Sequence, residues 1–141
     1  MYQKIIVAGN LGKDPEMRYA PNGDAVTSFS VATSRKYTDK SGNKVEETTW
    51  FRVSVWGKQA ETCNQYLKKG RSVLVEGRLN ADKATGGPKI FTRQDGTAGA
   101  AFEITAESVR FLGGGPRDGE TGAPAGQAVH DAPADEENIP F

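Results

Sequence analysis

Apolar and polar side chains alternate with a period of two along five stretches of the first 112 residues, the pattern of strands that bury one face. The clearest stretch is Thr48-Thr49-Trp50-Phe51-Arg52-Val53-Ser54-Val55-Trp56-Gly57. Seven of its ten residues are β-branched or aromatic and so suit a pleated, half-buried surface. Thr49, Phe51, Val53 and Val55 share one face and make an ordinary core side. Trp50, Arg52, Ser54 and Trp56 share the other. A strand buried on both faces would use the two indoles as packing, but it would also bury Arg52 with no partner visible in the sequence. The other reading is an exposed face on which flat π-surfaces flank a guanidinium, which suits unpaired bases on a phosphate backbone.

The same alternation predicts a strand from Tyr2 to Leu11, with Ile5, Val7 and Leu11 on one face. Gly9, Gly12 and Asp14-Pro15 break it, and Pro21-Asn22-Gly23 is a turn. A second strand runs from Ala25 to Ser34, with Thr27, Phe29, Val31 and Thr33 inward and a small, mostly polar face of Val26, Ser28, Ser30 and Ala32. Residues 35–47 connect it to the central strand. They interleave Arg35, Lys36, Lys40 and Lys44 with Tyr37, and read equally as a finger that folds over a polyanion or as a solvated hairpin. The period changes at Lys58–Lys69, where Ala60, Cys63, Asn64 and Leu67 mark a helix that Gly70 stops. Cys63 on that stripe reads as a packing residue. Arg71–Leu79 is a fourth strand with Val73, Val75 and Leu79 inward, and a fifth begins at Phe102, Ile104 and Ala106 and runs to about Leu112. Between them, Asn80–Ala100 reads as a long loop, which in a small domain is usually functional. In it Phe91 stands between Lys89 and Arg93, either as a third stacking group or as a cover for the barrel end.

Charge divides the chain. Residues 1–112 carry 17 Lys and Arg against 12 Asp and Glu, whereas residues 113–141 carry Arg117 against six acids. A basic body with an acidic tail suggests a nucleic-acid surface and an interaction segment. The tail holds six Gly and four Pro with Phe141 as its only aromatic, a composition expected to stay disordered. It ends Asp135-Glu136-Glu137-Asn138-Ile139-Pro140-Phe141, acids followed by an apolar anchor that a basic pocket would capture. With one cysteine and one histidine, His130, neither a disulfide within the chain nor a metal site of usual ligand count is expected. There is no glycine-rich phosphate loop or nucleophile elbow, so neither an enzyme nor a cofactor is expected. The longest early apolar run, Ile5-Ile6-Val7-Ala8, is too short for a signal segment or a span, which points to the cytoplasm.

Five strands with a helix between the third and fourth is the order of an OB-fold, an all-β Greek-key barrel whose open face binds oligonucleotides or oligosaccharides. The sequence also resembles the bacterial single-stranded DNA-binding protein family. The matching stretches are Gly9-Asn10-Leu11-Gly12-Lys13-Asp14-Pro15-Glu16, Arg18-Tyr19 with Pro21-Asn22-Gly23, Thr49-Trp50-Phe51-Arg52-Val53, Trp56-Gly57-Lys58, Tyr66-Leu67-Lys68-Lys69-Gly70, Val75-Glu76-Gly77 and the terminal Ile139-Pro140-Phe141. The resemblance implies a homotetramer that wraps single-stranded DNA without sequence preference in replication, recombination and repair, with a nucleoid-associated location. It places stacking at Tyr37, Trp50 and Trp56 and backbone contacts at Lys58 and Arg52. Tyr37 stands where the family often has tryptophan. Asn80-Ala81-Asp82-Lys83-Ala84 stands where it often has an aromatic, a role that Phe91 takes over from within the longer loop. Residues 1–112 are then the binding domain, 113–134 a linker and 135–141 a partner-binding tip. An OB-fold that prefers RNA or a protein, an enzyme subunit and a saccharide-binding module are the other readings; separated charges and the missing catalytic constellation count against the last two.

Overall fold

A computed structural model of the chain describes residues 1–113. Apart from Gly113, the linker assigned to 113–134 and the tip assigned to 135–141 lie outside the described residues. Seven strands and one helix follow in the order β1 (Ile5–Leu11), β2 (Glu16–Tyr19), β3 (Ala25–Thr38), β4 (Lys44–Trp56), α1 (Lys58–Tyr66), β5 (Ser72–Asn80), β6 (Lys89–Thr92) and β7 (Ala98–Leu112). The sheet order is β1-β5-β7-β4-β3-β2, and Asn10–Leu11 pairs back onto Val31–Ala32. β1, β5, β7, β4 and β3 thus close into the expected five-stranded barrel, with α1 between its third and fourth strands. The β4–β7 pair is parallel and the other pairings are antiparallel.

The core follows the alternation. Val7, Leu11, Phe29, Val31, Val53, Val55, Val73, Val75 and Ile104 are buried together, and Ala60, Cys63 and Leu67 of the helical segment join them. Thr27, the buried polar residue among them, donates from Oγ1 to the Ala60 carbonyl at 2.7 Å and so ties α1 to β3. Burial pushes the Cys63 thiol up to about 11, which leaves it protonated and unreactive at neutral pH. Phe51 is only partly buried, its ring tilted against Phe102 at 6.0 Å.

Of the two readings of the 35–47 connection the hairpin holds: β3 and β4 run on as one long hairpin, whose turn Asp39 closes by accepting the amides of Ser41 and Asn43 at 2.9 and 2.8 Å. Five expectations need correcting. Most of 89–100 is no loop. β6 pairs with Ala98–Ala101 around the turn at Asp95, whose carboxylate takes the Thr97 amide and hydroxyl. Glu16–Tyr19, read as part of a break, is a short strand on β3 that packs Met17 against the core. The helix stops at Tyr66, before Lys68 and Lys69. Leu67 turns extended to bury itself, the Lys69 amide donates to Asp14 Oδ1 at 2.8 Å, and Gly70 donates to the Leu11 carbonyl at 2.8 Å. Asn64 of the supposed stripe is exposed. Leu79 is also exposed, in a groove at the barrel rim with Pro88 and Phe102.

Candidate nucleic-acid interface

The outer face of β4 carries Trp50, Arg52, Ser54 and Trp56, and register extends it across the sheet. Residues directly opposite in an antiparallel pair project to the same side. Trp50 faces Ala32, which faces Asn10; Arg52 faces Ser30; Ser54 faces Ser28; Trp56 faces Val26, which faces Arg18. The small side chains of β3 keep this surface low between the aromatics. Trp50 is 53% exposed and Trp56 49%, so neither indole is core packing. Val26 is buried on this outer face, flanked by Arg18 and Trp56.

Arg52 is not stranded either. Its Nη1 stands 3.6 Å from Glu103 Oε1, and Lys89 Nζ stands 2.7 Å from Oε2 of the same carboxylate. Glu103 is opposite Arg52 in the parallel β4–β7 register, and Lys89 faces Ala101 two residues before it. Phe91 lies on that side as well. The Arg52 guanidinium carbon is 5.7 Å from its ring centroid and that of Arg93 is 5.8 Å, both within cation–π range. Phe91 is 38% exposed, so it extends the aromatic face onto the β6–β7 ribbon.

Among the expected stacking residues Trp50, Trp56 and Phe91 come together on one face with Arg52. Lys36 is on that same pleat of the hairpin arm, opposite Glu46 at 3.9 Å. Arg35 and Tyr37 face Glu47 and Val45 on the other pleat. There the Tyr37 hydroxyl donates to Glu47 Oε1 at 2.8 Å, and the Arg35 guanidinium lies 5.0 Å from the ring centroid. The hydrogen bond to the Glu47 carboxylate raises the phenol above its ordinary value. Lys58 opens α1 in an exposed position directly after Trp56-Gly57. Gly57 adopts φ 69° to turn the chain out of β4, a left-handed backbone that glycine takes without strain.

One cation escaped the sequence reading. Arg18 is exposed at the Trp56 end, with no ion-pair partner within 4.0 Å among the described residues. Its signal was the alternation Glu16-Met17-Arg18-Tyr19 ahead of the Pro21-Asn22-Gly23 turn, a short hairpin pattern. The tip residues Asp135, Glu136, Glu137, Ile139, Pro140 and Phe141 lie outside the described residues. Among the described residues no group of three His, Cys, Asp or Glu could hold a metal, and no helix is long and apolar enough to cross a membrane.

The chain is similar to proteins of known name. A Single-stranded DNA-binding protein of Neisseria meningitidis is 45% identical over 111 residues, 79% of this chain and 60% of that protein. Single-stranded DNA-binding protein 1 of Chlorobaculum tepidum is 42% identical over 114 residues, 78% of this chain and 64% of that protein. The chain thus matches less than two thirds of these relatives' lengths. The crystal structure of a deletion mutant of the single-stranded DNA binding protein from Thermus aquaticus matches with a TM-score of 0.60 and 31% identity, covering 79% of this chain and 50% of that one. The sequence model of the Single-strand binding protein family spans residues 2–112, the whole barrel from β1 to the end of β7, and the chain belongs to that family.

Proposed function

We propose that the barrel binds single-stranded DNA without sequence preference, stacking bases on Trp50, Trp56 and Phe91 and taking phosphates on Arg52, Lys58, Lys36 and Arg18. One observation carries this: two half-exposed indoles and a phenyl ring share a face with a guanidinium, above a floor of Ser28, Ser30 and Ala32. Every base has a π-face, so such platforms tolerate sequence, and the basic groups track the backbone. Tyr37 and Arg35 join where a strand curls around the hairpin arm. The exposed face suits unpaired bases better than a duplex, whose bases are already stacked. The relatives' printed names and the family support the same ligand.

Several finer readings go with it. Residues 1–112 are the binding unit, 113–134 a linker and 135–141 a tip that recruits proteins of replication, recombination and repair; the chain is no enzyme. One OB-fold covers roughly 4–16 nucleotides and closed symmetry lengthens that path; the family resemblance implies that the working form is a homotetramer, checkable by light scattering.

The deciding experiment is competition among oligo-dT, the matching RNA and a duplex of equal length. Preferential displacement by oligo-dT is expected; equal binding of the duplex would defeat the reading. Removing residues 135–141 should leave oligo-dT affinity unchanged or slightly higher, because three carboxylates that compete for the basic face are gone. Loss of DNA binding by a well-folded truncated chain would show that the tip had been misassigned.

A further inference from the structure

We propose that Gly12 and Gly99 are positioning residues for the stacking rings, each omitting the Cβ that would push an aromatic off its seat. This rests on the single-strand reading above.

Four glycines of the described barrel are approached too closely for a Cβ, and they fall into two kinds. At Gly9 a Cβ would run into the carbonyl oxygen of Ala32, and at Gly77 into that of Thr105. Both are backbone collisions between neighbouring strands, so these two glycines serve barrel closure. Gly12 and Gly99 meet side chains, and the side chains are Trp50 and Phe91.

At Gly12 the Cβ would stand 2.6 Å from Trp50 Cη2, closer still to Cζ3, and 3.7 Å from Cε3. Two adjacent ring atoms in collision with a clear gap to the third describe the rim of the benzo ring, not its face. The indole therefore leans its edge on Gly12, and at this contact its stacking faces stay clear of the backbone. At Gly99 the Cβ would stand 2.8 Å from Phe91 Cζ, 3.0 Å from Cε2 and 3.1 Å from Arg93 Cζ, so the same vacancy seats both the ring and one of its two guanidinium partners.

Neither glycine has a positive φ. The backbone at both positions would accept alanine, and only side chains stand in the way, Trp50 at Gly12 and Phe91 with Arg93 at Gly99. Gly12 is also held: its amide donates to the Ser30 carbonyl at 3.1 Å, so an added methyl displaces the ring, whose torsions are the softer coordinate.

The test is Gly12→Ala in the full chain carrying Trp56→Phe, which leaves Trp50 as the only indole. The emission of the free protein should shift. Quenching by oligo-dT at saturation should fall, and affinity should drop about 3- to 10-fold, part of what one lost stack costs, with the thermal midpoint nearly unmoved. In a Trp50→Ala background Gly12→Ala should add nothing, the non-additivity of two residues acting through one contact. Gly99→Ala with and without Phe91→Ala repeats the cycle. Unchanged emission and affinity would overturn the proposal, as would a loss of binding or folding that persists undiminished once Trp50 is removed. If the unsubstituted chain itself ignores oligo-dT, the single-strand reading falls and the positioning role with it; if that chain binds and the glycine variants behave like their parents, only the seats fall.

Discussion

Phe29→Ala is expected to destabilise the barrel by roughly 3–5 kcal/mol, the usual loss for truncating a buried aromatic, while Trp56→Ala leaves folding nearly intact and weakens oligo-dT binding by roughly 1–3 kcal/mol, one base–aromatic stack. Phe29 is 1% exposed on the inner face of β3, and Trp56 stands half-exposed on the outer face of β4. For a domain of this size total stability is about 5–15 kcal/mol, so the Phe29 variant should melt far below the parent. Thermal denaturation reads the first effect, and titration with oligo-dT monitored by quenching of the remaining Trp50 reads the second. If Trp56→Ala unfolds the domain while Phe29→Ala only weakens binding, the two faces of the sheet have been exchanged.

Raising the salt concentration fivefold should lower oligo-dT affinity on the order of 100-fold, since each neutralised phosphate contributes a log–log slope of about −0.7 for single strands and Arg52, Lys58, Lys36 and Arg18 supply four such contacts. The titration belongs at high ionic strength, where tight binding does not mask the slope. Arg52→Ala should flatten the slope by about one contact's worth and, through Phe91 at 5.7 Å, also loosen the third ring. Arg110→Ala should leave the slope alone, because that residue faces Leu74 on the half of β7 that pairs only with β5. A salt-independent affinity would remove phosphates from the account of this surface. An equal effect of Arg110 would mean that the outer face of β4 is not where the strand runs.

Much of this surface is legible in the amino-acid sequence. The opposite faces of β4 follow from a period of two, and Trp50, Arg52 and Trp56 fall on one of them by counting alone. The same counting applies to Arg35, Lys36 and Tyr37: three consecutive residues of a strand cannot share a face, yet as an irregular finger they read as one basic cluster. Once β3 extends to Thr38, Lys36 joins the tryptophans and its two neighbours turn away with Glu47. The missed strand at Glu16–Tyr19 has a similar origin. Its four residues are too few for periodicity to stand out, and its reason for being extended is its partner Ala25–Ser28, which local propensity does not see.

By itself, then, the sequence determined which side chains lie together on the strands long enough to show their period, where the turns fall, and that the body is basic while the last 29 residues are acidic. These are local or compositional properties, and a strand's pleat or a turn's φ preference acts within a few residues. Only the tertiary structure decided which strands are neighbours. That choice brings Glu103 between Arg52 and Lys89, carries Phe91 to Arg52 on a ribbon and sets Arg18 beyond Val26 from Trp56. It also ends the helix where Leu67 enters the core and Asp14 takes the Lys69 amide. Each of these joins residues well apart in the chain through barrel closure, a balance of burial and hydrogen bonding over the whole domain that leaves no mark on a local pattern.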